Sequence, residues 1–527
     1  MSAPDYEVAI VGGGPCGLLT ALLLARRGVR CALFEARVEP LRHPRAMGIS
    51  RRTAEIFQQL GVRDRMQESR IKPGAYDLAV WEASLAGEVY GRVVWPEDNP
   101  ALVPYPGFHC PQTTTERVLL EALENERAAS IFFDHEVRAF GDTGDAVALT
   151  VHRGRHDQTF SLTARYLVAA DGAGSPVRHT LGIDAVGPGD LGHFLNTFFR
   201  APYGSLLEGR PAVLTHLLRK DLFEIFVAVN GDDLWLMHHF LQPGETPADY
   251  PPERLAEIVR HASGLPDVPV EVLGVSPWVM SPKVATQFRK GRVFLTGDAA
   301  ARLSPAGGLG MNTGLQSAHN LAWKLAAVLR GAPESLLDTY DSERRTHVLR
   351  TFENSGKLGA EVWKILEAGL AGDFATVREL VAASRRAGSG LGLDFGWNYR
   401  NPGPFDPDAY TPSADPGGRA PHVWLEGDGA RLSTLDLFGR GFALLVAGDA
   451  AHWRRLVDPA ATFAGFDIEV FGIGDAEGYR DVDGGFPSTY GLAPGEAVLV
   501  RPDGVCAWRS VDPAGLDAAV ASVLARG

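Results

Sequence analysis

Cysteine is scarce in this chain: four residues in 527, at Cys16, Cys31, Cys110 and Cys506, with no C-x-x-C pair. So few thiols build neither a disulfide framework nor a cysteine-based metal site, and they point to a reducing interior. Basic clusters are missing as well. Acidic residues outnumber basic ones by 64 to 51, a net charge of −13, and without a basic stripe nucleic acid is excluded as a partner. No clean membrane span exists either. The uncharged stretch from Val8 to Ala25 is interrupted by three consecutive glycines and a proline. The acidic segment before it lacks the basic n-region of a signal peptide. These absences predict a cytoplasmic protein with no membrane partner. With 45% hydrophobic and 22% charged residues, the composition is globular, neither disordered nor fibrous.

What is present has α/β texture, in a length that suggests roughly three domains at about 150 residues each. Tyr6 to Val11 reads as a buried strand, Pro15 to Arg27 as a helix, and Arg30 to Glu35 as a second strand. A helix is expected over 112–127 and a strand over 164–170. Between 185 and 285 the texture changes to alternating apolar segments, such as 222–229 and 234–241, which predict an antiparallel sheet. A strand at 292–296 then feeds a glycine-rich loop and a helix in which Leu315, Ala318, Ala322, Leu325 and Leu329 share one face. Residues 334–388 read as mostly helical. The segment 401–421 is dense in Pro and Gly and marks a boundary. Beyond it, strands are expected at 442–447, 467–473, 497–501 and 505–509, the last two joined by Pro502-Asp503-Gly504.

Three motifs carry chemistry. Gly12-Gly13-Gly14-Pro15-Cys16-Gly17 fits G-x-G-x-x-G between a strand and a helix: Gly12 for the turn, Gly14 for backbone approach to a pyrophosphate, Gly17 for close packing. Glu35, at the end of the next strand, is placed for ribose hydroxyls. Asp171-Gly172 follows the strand at 164–170. Gly297-Asp298 ends the returning strand and precedes the loop Pro305 to Asn312, where helix N-terminal N–H groups favour negative charge. Taken alone each is a common turn; their order and spacing are specific.

With these motifs the sequence resembles, over nearly its whole length, the class A (single-component) FAD-dependent aromatic hydroxylases. The run Gly307 to Gln316 followed by Asn320-Leu321-Ala322-Trp323-Lys324-Leu325 is similar to the family's flavin-loop helix, and His43-Pro44-Arg45-Ala46 resembles the segment whose arginine lies near the flavin. The tail, from Tyr490-Gly491-Leu492 to Ala507-Trp508-Arg509, is similar to the thioredoxin-like domain of the phenol-hydroxylase and polyketide-hydroxylase branches. The resemblance implies a Rossmann-like FAD-binding domain assembled from 1–75, 105–182 and 285–398. It further implies a mainly antiparallel substrate domain (76–104 and 183–284), a linker (399–421) and a thioredoxin-like domain (422–527). It implies FAD contacts for Gly12, Gly14, Pro15, Gly17, Glu35, Arg37, Arg45, Gln112, Val137, Asp171, Asp298, Pro305, Gly308, Gly310, Met311 and Asn312, with Arg45 and Pro305 beside the reacting centre.

NADPH or NADH and O2 are the implied co-substrates, with oxygen delivered through a flavin C4a-hydroperoxide to a phenolic, quinol or polycyclic ring, as in tailoring of aromatic natural products. Among the aromatic residues of the middle segment, His216, Phe226 and Trp278 are the candidate substrate contacts. No metal site is expected, and the protein would be a monomer or homodimer. Two letters depart from the family pattern: Ala301 stands where a histidine is usual and Ser317 where an aspartate is usual. Baeyer–Villiger insertion on the same scaffold and a decayed, merely binding flavoprotein are the alternatives; a halogenase is disfavoured because no W-x-W-x-I-P segment occurs. A second Gly-Asp-Ala-Ala-His string at 448–452 has no glycine loop after it and reads as a strand end.

Overall fold

The structure, a computed structural model, describes residues 3–67, 71–72, 75–207, 211–384, 388–427, 429–457, 465–474, 478–512 and 515–525. Its first layer is a parallel core in the order Val293–Leu295, Gln158–Ala169, Tyr6–Val11, Cys31–Glu35, Ala129–Phe133. Apolar strands buried on both faces suit a parallel sheet covered by helices. Gln158–Ala169 is longer than the expected 164–170 segment, because its first half pairs antiparallel with Val147–Arg153. The expected helix at 112–127 is Gln112–Glu124.

Helix Pro15–Arg26 packs against the long helix Gly310–Leu329 over this sheet. Their contact demands glycine. A Cβ on Gly17 would stand 1.9 Å from the Gly12 carbonyl oxygen, and one on Gly314 would stand 2.5 Å from Cys16 Sγ. Gly12 itself has φ +106, a left-handed conformation that suits glycine.

The second layer is an antiparallel-rich sheet in the order Glu271–Met280, Gly192–Arg200, Leu234–Phe240, Leu222–Ala228, Ala212–Arg219, Asp77–Glu82, Val89–Val93. Helix Pro252–Ser263 covers one face, burying Leu255 and Val259 against Phe199, Phe226 and Trp235. The opposite face is covered at its Asp77–Glu82 end by helices Asp338–Leu370 and Phe374–Ala382, and elsewhere meets His43 and Met47 of the segment 43–50.

The C-terminal unit has strands Ile468–Ile473, Phe442–Ala447, Ala497–Val500 and Cys506–Ser510 in that spatial order, the first two parallel and the rest antiparallel. This second-first-third-fourth arrangement is the thioredoxin-like core. Its Cys506 is buried and burial pushes the thiol up to about 12, which removes thiolate chemistry at neutral pH. Gly448 follows the strand Phe442–Ala447, and Asp449 Oδ1 accepts from the Ala451 amide in a turn that leads into a short helix.

Buried charges join this unit to the rest. Glu55 pairs with Arg419 and with Arg52, whose other nitrogen donates to the Asp503 carbonyl at 2.6 Å. Arg501 bridges Glu343 (2.6 Å) and Asp503 (2.5 Å), and Lys324 meets Glu343 at 2.8 Å. Removing one partner strands a buried charge, which costs far more than losing a surface pair. Glu55→Gln, which leaves Arg419 uncompensated, is expected to destabilise the protein by about 3 to 5 kcal/mol. The check is a lower urea midpoint relative to the parent protein.

Candidate active site

The three motifs converge because their strands are adjacent and parallel. Val11 is level with Phe34 and Ala169, and Ala169 with Leu295, so Gly12, Glu35, Asp171 and Asp298 all emerge at the carboxyl edge of one sheet. That edge is where open α/β sheets bind ligands.

The residues differ in what they leave free. Glu35 Oε2 accepts from the Gly13 amide at 2.6 Å, and Oε1 accepts from the Arg37 amide (2.8 Å) and Nε (3.0 Å). Burial alone would raise this carboxyl, but the hydrogen bonds and charge of Arg37 and the Gly13 amide outweigh it, so its pKa lies below the ordinary value. Asp171 organises the helix Pro176–Thr180: Oδ1 accepts from Ser175 Oγ at 2.7 Å and Oδ2 from the Val177 amide at 3.0 Å. Arg178 of that helix donates to the Ala299 carbonyl at 2.9 Å, tying the second motif to the third.

Asp298 is the opposite case. Its carboxylate accepts no hydrogen bond from any described residue. Solvent reaches it through the opening although protein surrounds it. Burial raises its pKa, and the charges of Arg302 and Arg45 pull against that rise. Nothing lies within 4 Å of where a Cβ would stand on Gly14, Gly308 or Gly310. Pro305 and Arg45 are exposed at the same opening, and Met311 is half-buried beside it. The first-turn amides of Gly310–Leu329 have no intrahelical acceptor. Bare backbone, free amides and an unpartnered acid form a cradle whose donors and acceptors fit a dinucleotide.

Segment 43–50 is the crosspiece. The Ala46 carbonyl accepts from the Gln112 amide at 2.7 Å. Asn312 Nδ2 donates to the carbonyls of Gly48 (3.0 Å) and Gly308 (2.9 Å), while its Oδ1 accepts from the Ser50 amide at 2.8 Å. The Asn312 side chain is thus consumed in holding the glycine loop, leaving its backbone amide for a ligand. His43 Nε2 lies 3.1 Å from the Asn196 carbonyl, docking the segment on the substrate sheet. Val137 lies on strand His135–Asp142 and packs against the core.

Of the three expected substrate contacts, Phe226 is on the wrong face. It packs with Phe199 (5.5 Å between centroids) and Tyr203 under helix Pro252–Ser263. His216 and Trp278 lie on the site-facing side. His216 stacks on Trp81 at 3.9 Å, and Trp278 stacks on Phe194 at 4.6 Å. Sequence reasoning missed Arg302, Asn196 and His238. Ala301 sits in a short strand pair with Val284. Ser317 Oγ accepts from buried Arg344 at 3.2 Å, a structural contact.

Fold and site define a flavin-dependent oxidoreductase whose substrate sheet roofs a dinucleotide cradle. The chain belongs to the FAD-dependent aromatic-ring hydroxylases: the FAD binding domain family matches residues 5–355, and the family described as aromatic-ring hydroxylase, C-terminal, matches 413–527. It is 35% identical to tetracenomycin A2 monooxygenase-dioxygenase of Streptomyces glaucescens, over 100% of this chain and 98% of that one. It is 32% identical to 4-methyl-5-nitrocatechol 5-monooxygenase of a Burkholderia species, over 97% and 95%. The solved flavin-dependent monooxygenase PieE, in complex with FAD and substrate, superposes with a TM-score of 0.91 at 30% identity, covering 100% of both chains. Aklavinone-11 hydroxylase with FAD and aklavinone gives 0.85 at 29%, again covering 100% of both. The protein is an FAD-dependent hydroxylase that uses O2 and a reduced nicotinamide. No helix among the described residues is long and apolar enough to cross a membrane.

The depressed Glu35 pKa sets a pH dependence. Its contacts stabilise the fold above the ordinary glutamate value of 4.5 and are lost as pH falls through the lower folded value. The thermal stability of the flavin-free protein should therefore exceed that of Glu35→Gln at pH 7, and the gap should close as pH falls below that range.

Proposed function

We propose that the protein hydroxylates a fused-ring phenol or quinol in aromatic polyketide tailoring. The observation that carries this reading is the pairing of the unpartnered Asp298 cradle with an aromatic sheet face across one opening. The two relatives of polycyclic chemistry, named for tetracenomycin and aklavinone, support the size of ring.

In this reading Gly12, Gly14, Pro15 and Gly17 hold the pyrophosphate at the N-terminus of Pro15–Arg26. Glu35, Arg37 and Val137 face the adenosine end. Asp298 accepts from ribityl hydroxyls. Arg45, Gln112, Pro305, Gly308, Gly310, Met311 and the Asn312 amide frame the ring system. FAD held by these residues would supply the chemistry of hydride acceptance from a reduced nicotinamide and of O2 activation for oxygen transfer to an electron-rich carbon. The chain's own work is to exclude water and orient the ring. Phe194, Phe198 and Trp278 present apolar surface on the roof, and Arg45 and Arg302 supply positive charge beside the flavin cradle. We place the protein in the cytoplasm, as a monomer or homodimer whose partner is a small aromatic molecule.

Two measurements test this. The purified protein should be yellow, and its NADPH oxidation should accelerate at least about tenfold with a polycyclic phenol; a colourless protein that takes up no FAD would end the reading. Gly14→Val should fold, since its Cβ enters open space, yet lose most of its FAD. Circular dichroism and the visible spectrum separate the two effects.

A further inference from the structure

One row of side chains crosses the site-facing side of the substrate sheet: Trp81, His216, Ile225, His238, Asn196 and Ser276 occupy successive strands in register. Its chemistry is fixed at Asn196. Asn196 Oδ1 accepts from Trp278 Nε1 at 2.6 Å. An indole N–H only donates, so the amide oxygen, and not its nitrogen, faces Trp278. That same oxygen lies 2.5 Å from His238 Nδ1. Facing an acceptor, Nδ1 carries the hydrogen, and Nε2 of the neutral ring is left with its lone pair.

The ring stays neutral. Burial first, and then the charge of neighbouring His43, push the His238 pKa down to about 4. The charged group that acts on His238 is the neighbouring His43 ring, which lowers its pKa further and cannot restore the charge. Nε2 finds no hydrogen-bond donor among the described residues, although the side chain is half-buried. A half-buried acceptor without a donor loses its hydration when an apolar ring fills the site, unless that ring brings an O–H.

We propose that His238 Nε2 is the acceptor that reads a hydroxyl of the aromatic substrate, selecting a free phenol over its methyl ether. This rests on the aromatic-hydroxylase reading above and adds the residue that reads the substrate hydroxyl. A ring so hard to protonate does not take the proton outright. It orients the hydroxyl and thereby the carbon beside it. Asn196 and Trp278 act through His238 as positioning residues.

The test uses the FAD-loaded protein with 2-hydroxyanthraquinone and 2-methoxyanthraquinone, two probes that differ by one methyl. Binding is read from the flavin absorbance change without nicotinamide, so turnover is not needed. The native protein should prefer the hydroxy probe by about tenfold to a hundredfold. His238→Phe should bind the two alike, and His238→Gln, which retains an acceptor oxygen, should recover part of the preference. Unchanged flavin spectra in both variants show that the site is intact. Equal or undetectable binding of both probes by the native protein overturns the proposal, as does a preference that survives in His238→Phe. The reading it rests on fails separately, if no phenol yields an oxygenated product.

Discussion

Everything in the site depends on one crossing where backbone touches backbone. Gly12 and Gly17 let the first helix close on the first strand, and Gly297 and Gly314 let the glycine-loop helix close on both, with Cys16 wedged between the latter pair. Any side chain at these points would force the helices apart. Their separation sets the gap between the Gly14 loop and the Gly310 loop, and that gap is the cradle. The chemistry of Asp298 follows from this geometry, because only a carboxylate held level with Gly12 can face the same ligand.

The crosspiece at 43–50 then converts a nucleotide-binding core into a hydroxylase. Asn312 and Gln112 pin its far end to the two helices, and His43 pins its near end to the substrate sheet. Arg45, exposed on this segment and without a hydrogen bond or ion pair among the described residues, places its charge near Asp298. The C-terminal unit braces the glycine-loop helix, where Asn320 donates to Asp503, and the helix after the crosspiece, where Arg52 donates to the Asp503 carbonyl.

The parts of the site legible in the sequence are those where backbone geometry demands a residue type. Gly12, Gly17 and Gly314 could be no other residue, and the strand–glycine–helix order around them follows from that. Side chains were less legible. Asp171 also caps its own helix, since Ser175 and Val177, four and six residues on, donate to its two oxygens. Asn312 looks like a ligand and is a brace. Alternation along 222–229 shows that Phe226 and Ile225 point oppositely, but not which of them points to the flavin. That is decided by helix Pro252–Ser263 covering one face. Nothing local distinguishes Asn196 or Arg302, because their roles arise from strands brought together over long sequence separations.

This architecture transfers a single oxygen atom from O2 to an aromatic ring. Mass spectrometry of the product formed from a polycyclic phenol under 18O2, with NADPH and the FAD-loaded protein, should show a product heavier by one 18O, with its carbon rings intact. A product carrying no 18O, two 18O atoms, or an oxygen inserted into the ring would contradict it.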